Sequence, residues 1–338
     1  MSNFKKISKT EYRNFLEKSL FSTFFHNPEW HVFLEKEFKW LKFEYYLYKP
    51  ARPIGGDEAI LPFARFKVFR REKIISLPFC EYGGPLPLKK EVDFSEFEKD
   101  IFDNFKNAKI NFHPKILDYL KNFQITEKNT GNNITYWIEK LNSFSEQTLL
   151  TSFRKTLRHE IKNAQEHNLE IKKYSNEQEL KQFYNLYVAN LKRKKTIPYP
   201  RPLIQFLCKN ASSELLLAIY KGKVVAGCLF LNYGVFVHYF LSASDYGHRN
   251  LGANYLIIWE KIKSLIKQDK ILDLGASPQG SNLEIFKRGW GGTEYPIYQI
   301  GAKKSEEHLR SSKLRNIWGL LPNSVIKNLS RYLIKYRL

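Results

Sequence analysis

The chain has 338 residues, which is enough for two domains of ordinary size, each with its own hydrophobic core. Hydrophobic residues make up 43% and aromatic residues 15%, and this composition excludes a largely disordered chain. Lys and Arg number 55 against 34 Asp and Glu, so the formal net charge is +21. Such an excess favours polyanionic partners, namely nucleic acid, phosphorylated substrates or an anionic membrane surface, and does not choose among them.

Cysteine and histidine usage indicates neither a disulfide framework nor a metal site. The three cysteines, Cys80, Cys208 and Cys228, are far apart, and the eight histidines are scattered. We interpret the cysteines as reduced core residues of a cytoplasmic protein. The N-terminal residues lack the apolar stretch of a signal peptide, and no run approaches the length of a membrane span, so we expect a soluble protein.

The N-terminal half predicts a hairpin followed by a strand that glycines interrupt. Phe43–Tyr48 and Ala59–Phe69 are typical strands around a loop from Pro50 to Asp57. The next strand, from Ile74 to Leu86, breaks at Gly83-Gly84. Two adjacent glycines allow positive φ and close backbone approach, so they predict a tight turn or a ligand-facing loop.

A domain boundary is expected near Lys140, followed by a basic helix. Ser143 and Glu146 have the spacing of a capping box, which starts the helix. This helix carries an apolar stripe formed by Phe153, Leu157 and Ile161. Beside it runs a basic stripe at i, i+4 and i+8, formed by Arg154, Arg158 and Lys162. Stacked cations of this kind can grip a diphosphate or a carboxylate, or they can be a solvated basic face.

The C-terminal half predicts a three-stranded meander followed by a helix. Turns at Lys221-Gly-Lys223 and Tyr233-Gly234 separate the strands Leu215–Tyr220, Val224–Asn232 and Val235–Ser242. A helix from about Ala253 to Lys267 leads to a short apolar strand that ends in Asp273, and Tyr295–Gly301 predicts a closing strand.

The stretch from Ile271 to Ser277 predicts a buried strand that opens into a loop, where mixed α/β folds place their chemistry. One lysine, Lys287, follows between Phe286 and the pair Trp290-Gly291. A cation on a short segment anchored by aromatic residues can be held at fixed depth in a cleft, as oxyanion stabilisation requires. The alternative is a surface lysine beside two core aromatic residues.

Residues 303–338 differ from the rest, because apolar residues recur there at helical spacing among lysines and arginines. A basic amphipathic helix can lie on an anionic bilayer, or it can pack on its own domain. The sequence thus divides into residues 1–140, residues 141–302 and a helical tail of residues 303–338. Both larger parts show helices, a meander and a strand end with glycine, which indicates two copies of one α/β fold with a mixed sheet.

Five motifs together resemble a known family: residues 76–86 (SLPFCEYGGPL), the basic helix of 154–164, and residues 240–244 (FLSAS), 272–277 (LDLGAS) and 286–291 (FKRGWG). Their order is similar to that in FemAB-like proteins, peptidoglycan-bridge aminoacyltransferase relatives within the GNAT acyltransferase superfamily. The resemblance runs from about Phe24 to Gly301. It implies two tandem GNAT-like domains packed side by side, and transfer of an amino acid from aminoacyl-tRNA to an amine of a cell-wall precursor.

The resemblance also implies roles for single residues. Lys287 is similar to a family lysine thought to stabilise the carbonyl oxygen as negative charge develops. Arg154 and Arg158 resemble a substrate-facing basic helix, and Tyr239 and Ser242 resemble the acceptor-side strand. The candidate substrate-binding residues are then Arg154, Arg158, Lys162, Tyr239, Ser242, Ser277, Trp290, Tyr82, Gly83 and Gly84.

The chemistry needs no protein nucleophile, because an acceptor amine can attack an ester or thioester carbonyl directly. The enzyme then contributes orientation, an oxyanion donor and a general base. Asp273 and Asp245 are the candidate carboxylates for the base, while Asp273 is equally suited to capping amides at its strand end.

The acyl donor is expected to be aminoacyl-tRNA or acyl-CoA. GNAT enzymes that use acyl-CoA hold its pyrophosphate with an Arg/Gln-x-x-Gly-x-Gly/Ala loop at a helix N-terminus. Arg249 and Gly252 fit this cofactor-binding pattern and Asn254 departs from it, which with the positive charge favours aminoacyl-tRNA. The absence of a coiled-coil insertion, which the best-known tRNA-using members have, argues the other way.

We therefore expect an acyltransferase with no bound cofactor or metal. Its expected acceptor is a phosphorylated or lipid-linked cell-envelope precursor, with tRNA as a candidate partner. It would be cytoplasmic and able to touch the anionic inner face of the membrane through residues 303–338. The alternatives are an acyl-CoA-dependent enzyme of a polysaccharide or sugar-nucleotide pathway, and a non-catalytic membrane- or nucleic-acid-binding protein on the same fold.

Overall fold

The computed structural model describes residues 3–19, 21–50, 58–88, 92–121, 130–301 and 317–338. These residues form two compact units. Unit 1 comprises the described residues up to Ile134 together with 295–301 and Leu338, and unit 2 comprises Thr135–Glu294 with 317–337. Each unit combines helices with a mixed sheet, which confirms the predicted α/β class.

Unit 1 contains three helices, eight complete strands and the greater part of a ninth strand. In chain order these are β1 (Phe4–Ile7), α1 (Lys9–Leu16), α2 (Pro28–Glu37), β2 (Lys42–Tyr48), β3 (Ala59–Val68), β4 (Arg71–Ile75), β5 (Leu86–Pro87), β6 (Val92–Asp93), α3 (Phe97–Asn104), β7 (Ala108–Asn111), β8 (Leu120–Lys121) and β16 (Thr293–Ile300). The main strands follow the order β1-β2-β3-β4-β7-β16, in which β4 and β7 are parallel and the other neighbours are antiparallel.

The predicted hairpin of unit 1 is confirmed. Strands β2 and β3 pair in register from Lys42 with Arg65 to Tyr48 with Ala59. Residues 51–57 of the predicted loop lie outside the described residues. The sheet packs on a largely aromatic core, in which the Phe4 ring lies 4.9 Å from Tyr48 and 5.0 Å from Phe105, centroid to centroid.

Unit 2 contains seven helices and the other strands. They are β9 (Thr130–Ile138, which enters the unit at Thr135), α4 (Glu146–Ser152), α5 (Lys155–Glu166), β10 (Glu170–Lys173), α6 (Glu177–Arg193), α7 (Arg201–Lys209), β11 (Ser213–Tyr220), β12 (Lys223–Tyr233), β13 (Phe236–Ser244), α8 (Ala253–Leu265), β14 (Ile271–Asp273), β15 (Ser277–Pro278), α9 (Asn282–Arg288) and α10 (Asn323–Leu333). The sheet order is β9-β14-β13-β12-β11-β10, and β13 and β14 are parallel.

The predicted capping box of Ser143 and Glu146 is wrong. Ser145 caps α4 instead and exchanges hydrogen bonds with Thr148, because Ser143 closes the preceding 3-10 turn. The single predicted helix is also two helices, since the backbone at Phe153 is extended (ψ 154°) and α5 starts afterwards. The apolar stripe is nevertheless buried as predicted.

The last helix packs on its own unit. Ile326 and Ser330 of α10 are fully buried, and α10 contacts α6. Before it, Trp318 Nε1 donates a hydrogen bond to the Thr196 carbonyl at 3.2 Å. Residues 303–316 of the predicted tail lie outside the described residues. Within the described ranges, no helix has the length and apolar character that a membrane crossing requires.

Candidate functional site

Two parallel strands of unit 2 diverge at the candidate site. β13 pairs with β14 only through Phe236–His238, opposite Ile271–Asp273. β13 then continues to Ser244 alongside β12, whereas the chain leaves β14 and the Leu274 amide bonds to the Tyr136 carbonyl at 2.9 Å. We call the place where the two strands cease to pair the wedge, and the loop of residues 274–281 that follows β14 the wedge loop.

A β-bulge lies at the point of divergence. Leu229 of β12 faces Leu241, but Phe230 faces Tyr239, so Phe240 is the extra residue on β13. A bulge bends its strand and re-aims side chains, and bulges recur beside active sites. The Phe240 ring is stacked on Tyr199 with centroids 5.6 Å apart, which fixes the direction of the bulged side chain.

Asp273 holds the beginning of the wedge loop. The residue is 1% exposed, and its carboxylate accepts hydrogen bonds from Thr135 Oγ1 at 2.6 Å and from the Gly275 amide at 2.8 Å. The other carboxylate oxygen lies 2.7 Å from His238 Nδ1. Such an arrangement matches the predicted capping of strand-end amides, and a role as general base remains a prediction.

Lys287 holds the same loop from α9. Its ammonium is 4% exposed and donates to the carbonyls of Gly275 at 2.6 Å and Ala276 at 2.7 Å. The lysine is therefore buried, unlike the surface lysine that was the alternative expectation. Its observed contacts fix the wedge loop, and direct stabilisation of an oxyanion remains a prediction.

Ser277 and Trp290 are both buried near these groups. The Ser277 hydroxyl is 1% exposed and has no hydrogen-bond partner among the described residues. Trp290 is fully buried, with its ring edge-on to Phe153 at 5.5 Å. The Trp290 indole N–H likewise has no hydrogen-bond partner among the described residues. Buried polar atoms are normally hydrogen-bonded, and a substrate contact for either residue remains a prediction.

The predicted basic stripe of α5 connects two parts of the site. Arg154 and Lys162 are exposed and Arg158 is half-buried. At one end, a methyl group on Gly289 would lie 4.0 Å from Arg154 Cδ, so the stripe begins beside the end of α9. At the other end, Asn163 Nδ2 donates to the carbonyl of Asn250 at 3.4 Å, beside the loop before α8.

The loop before α8 carries the candidate donor-binding residues. Gly252 has φ +61°, and an added Cβ would lie 3.0 Å from the Ala164 Cβ, so the turn requires glycine. The turn starts α8, whose N-terminus has no side-chain cap and carries the partial positive charge of a helix start. Arg249 and Arg193 both lie over the exposed Tyr246 ring, at 4.7 Å and 4.3 Å, which places two guanidinium groups together.

Asp245 caps this loop. Its carboxylate accepts from the Gly247 amide at 3.0 Å and lies 2.8 Å from His248 Nδ1. The hydrogen bond with the His248 ring, followed by that from Gly247, holds the pKa of Asp245 below its ordinary value. A lowered pKa weakens a general base, so the role predicted for Asp245 has no support from its surroundings.

Tyr239 is buried in unit 2, and Ser242 and Asn254 lie half-buried near it. Burial raises the pKa of Tyr239 well above its ordinary value, and Ser242 hydrogen-bonds to it. Cys228 Sγ lies 4.0 Å from both the Tyr239 hydroxyl and Asn254 Oδ1. Asn254 thus points toward β12, which gives a packing reason for the residue that departs from the acyl-CoA pattern.

Tyr82, Gly83 and Gly84 belong to unit 1 and are all buried there. The Gly83 amide donates to the Asn111 carbonyl at 3.0 Å, and a Cβ on Gly84 would lie 2.9 Å from the same oxygen. Neither glycine has positive φ. A Cβ on Gly83 would lie 2.6 Å from the Leu77 Cβ, so Gly83 is explained by close packing on Leu77 and Gly84 by close approach to β7, and their role in substrate binding remains a prediction.

Sequence reasoning missed several groups that the fold brings to this site. His238 meets Asp273 through the parallel register of β13 and β14, which spacing along the chain does not show. The Tyr136 hydroxyl lies 2.9 Å from Glu284 Oε1 and 2.7 Å from Glu294 Oε2, and burial followed by these two carboxylates raises its pKa.

In the part of the chain that the structure describes, no three His, Cys, Asp or Glu side chains are grouped to hold a metal ion.

Comparisons with known proteins agree with this architecture. Residues 151–288 match the family described as Acetyltransferase (GNAT) domain. FemX is 13% identical with a TM-score of 0.60, over 90% of this chain and 99% of FemX. L-PGS from Bacillus licheniformis is 11% identical with a TM-score of 0.54, over 94% of this chain and 99% of that one. A search of curated proteins gave no match.

At these identities the two solved structures establish the fold and not the substrate. The family match covers the meander, α8, the wedge loop and α9, which are the elements of the candidate site. The predicted resemblance and enzyme class are confirmed. Residues 151–288 therefore form a GNAT-type acyltransferase domain within a FemX-like fold.

Proposed function

We propose that this chain moves an aminoacyl or acyl group directly onto an amine of a phosphate-bearing cell-envelope precursor. The amine nitrogen bonds to the carbonyl carbon, the carbon–oxygen or carbon–sulfur bond to the donor breaks, and the proton that the amine loses ends on the departing oxygen or sulfur. Burial raises the pKa of the Cys208 and Cys228 thiols to about 12, so neither is a thiolate at neutral pH. Direct transfer, without a cysteinyl intermediate, fits this chemistry.

The observation that carries the proposal is the basic stripe of α5. Arg154, which precedes α5, and Arg158 and Lys162 within it span about 12 Å, from the end of α9 to the loop before α8. Phosphate groups of a large ligand can follow such a stripe while its reactive end enters the wedge. The stripe thus supports a polyanionic ligand beside an acyltransferase centre.

Within the wedge we assign Lys287 and Asp273 to holding the loop that faces the reacting carbonyl. Both are buried and bonded to the Gly275–Ala276 segment, Asp273 through the Gly275 amide and Lys287 through the two carbonyls. Such fixed geometry is what orientation-based catalysis requires. Ser277 lies in the same loop, and its buried hydroxyl is assigned to contact the substrate.

We favour aminoacyl-tRNA over acyl-CoA as the donor. The net charge of +21 and the inward-facing Asn254 support this choice. The start of α8 argues for acyl-CoA, because a helix N-terminus beside Arg249 is suited to a pyrophosphate. A cell-envelope acceptor is proposed from the FemAB-like resemblance and the FemX-like fold.

The test is competition binding by the full chain with aminoacyl-tRNA, uncharged tRNA, acetyl-CoA and a long-chain acyl-CoA at two salt concentrations. The double variant Arg158→Gln/Lys162→Gln should weaken binding of the preferred donor by about tenfold or more, since two charge-assisted contacts are lost. The control is Lys106→Gln/Lys173→Gln, which removes the same charge from exposed positions elsewhere.

Preference for charged over uncharged tRNA, reduced by the α5 variant and unchanged in the control, would support aminoacyl-tRNA. Saturable acyl-CoA binding that Arg249→Ala removes would make this an acyl-CoA-dependent enzyme instead. Binding of neither donor, or transfer to no amine acceptor, would overturn the proposed function in favour of a non-catalytic binding protein.

A further inference from the structure

A basic pocket of about 520 Å³ lies in unit 2, outside the elements of the acyl-transfer site. It is formed by α6, the start of α7 and α10. Its lining residues are Lys181, Tyr184, Asn185, Pro200, Arg201, Pro202, Lys327, Asn328, Arg331 and Tyr332.

The charges in this pocket are of one sign. Four of the lining residues are cations, and among the described residues that line it none is acidic. Glu177 bonds to Arg201 at 3.0 Å from outside the lining. Burial, and then the positive charges of Lys181 and Arg201, lower the pKa of Lys327. Cations that repel one another in a concave site are stabilised when an anion occupies it.

The backbone of α7 adds to the positive potential. α7 has nine residues and begins at Arg201 after Pro200, and both of these residues line the pocket. The N-terminal end of a helix carries a partial positive charge, which favours an anion there. The backbone acts here through this charge, because Pro202 has no N–H and the Leu203 and Ile204 amides bond to the Pro200 carbonyl. The side chains and the helix end thus act on one volume.

Docking of α10 makes the pocket a preformed feature. Ile326 and Ser330 are fully buried on one side of α10, and Lys327 lies between them in sequence at the pocket wall. Lys327 Nζ donates to Asn185 Oδ1 of α6 at 2.6 Å, which fixes this ammonium. A ligand can therefore bind without first paying for the ordering of the pocket.

We propose that this pocket binds a phosphoryl or diphosphoryl group. Phosphate oxygens match the forked donors of the two arginines and the point charges of the two lysines. The group can belong to a free phosphorylated ligand or to a lipid headgroup. A headgroup source is suggested by apolar side chains exposed just before and within α10, where Leu320 is 83% and Tyr332 is 68% exposed.

The experiment is calorimetric titration of the full chain with inorganic pyrophosphate, and sedimentation with phosphatidylcholine vesicles with and without phosphatidylglycerol. All titrations use an Arg249→Ala background, so that binding at the start of α8 is not counted. Lys327→Gln/Arg331→Gln should weaken binding about tenfold or more, while Lys106→Gln/Lys173→Gln should leave it near the starting value.

Saturable pyrophosphate binding that depends on Lys327 and Arg331 supports the pocket with a soluble phosphorylated ligand. Binding confined to phosphatidylglycerol vesicles, with the same dependence, supports the pocket with a lipid headgroup. Equal losses in the two double variants, or no binding of either probe, would overturn the proposal. Circular dichroism of both double variants checks that α10 remains folded.

Discussion

The two units share one strand topology and differ at the point where the parallel pair of strands ends. In unit 1, β4 is parallel to β7, which is antiparallel to β16. In unit 2, β13 is parallel to β14, which is antiparallel to β9. Each unit thus repeats a meander, a parallel step and a closing strand, which agrees with the two copies of one fold indicated by the sequence.

The difference lies where the parallel pair ends. In unit 1 the chain itself occupies this place, since the Gly83 amide and the Glu81 carbonyl bond to Asn111 at the end of β7. In unit 2, β13 is bulged and outlasts β14, and a helix starts after it. The two units therefore share a strand topology and differ in the segments that follow the parallel pair.

Replacement of Lys287 should have the largest effect. If it had none, the wedge loop would not be what distinguishes unit 2 from unit 1. Lys287→Ala leaves two buried carbonyls without their donor, so we expect a loss of about 3 kcal/mol of unfolding free energy. Transfer by the folded fraction should fall by about 10²-fold, because the wedge loop loses its position. Urea unfolding and single-turnover kinetics measure the two effects.

Lys261→Ala is the matched control for this variant. Lys261 is a second buried lysine of unit 2, bonded to Glu214 at 2.6 Å and placed outside the proposed site. It should lose comparable stability and keep the transfer rate of its folded fraction. Equal kinetics for the two variants would remove Lys287 from the mechanism.

Low pH should destabilise unit 1. Burial lowers the pKa of His26 and of His31 in unit 1 to about 3, so both are neutral in the folded chain. The unfolded chain binds these protons from about pH 6.5 downward, so stability is complete above that pH and is lost as pH falls. Between pH 7.5 and 5 each histidine should lower the unfolding free energy by about 2 kcal/mol.

Urea unfolding across this pH range measures the effect. His31→Phe should reduce the pH slope of the unfolding free energy by about one proton, whatever it does to stability at neutral pH. An unchanged slope would mean that His31 is not the titrating group. If transfer activity were lost at a higher pH than the fold, the titrating group would lie in the wedge and not in unit 1.

The smallest effect is expected from Ser277→Ala. The Ser277 hydroxyl has no hydrogen-bond partner among the described residues, so its removal should change stability by less than about 0.5 kcal/mol. If it contacts the substrate, kcat/KM should fall roughly fivefold to tenfold. Ser213→Ala is the control, because its hydroxyl is likewise buried without such a partner but lies on β11. Identical kinetics in the two variants would exclude the substrate contact.

Elements defined by local signals could be predicted well. The three strands of the meander and the start of α8 at Ala253 lie close to their predicted bounds, because turns and glycines mark them in the sequence. The extended backbone at Phe153 could not be predicted in this way, since tertiary packing against Trp290 overrides the helical spacing.

The candidate site was predicted in part. Lys287 and Asp273 were singled out from their positions beside a strand end, and the structure brings both to the wedge loop. Their partners could not be predicted, because His238 reaches Asp273 through strand register and Lys287 bonds to backbone carbonyls that any residue type supplies. For Gly83 and Gly84 the sequence signal was ambiguous, because close packing within the chain and close approach of a ligand both favour glycine.

The position of β16 has a consequence for synthesis of the chain on the ribosome. Gln299 and Ile300 pair with Asn111 and Ile110 in the sheet of unit 1, although unit 2 is translated between them. At ordinary elongation rates the closing strand emerges on the order of ten seconds or more after β7. The nascent unit 1 therefore keeps an open sheet edge during this time, and unit 2 can reach its native packing before the sheet of unit 1 is complete.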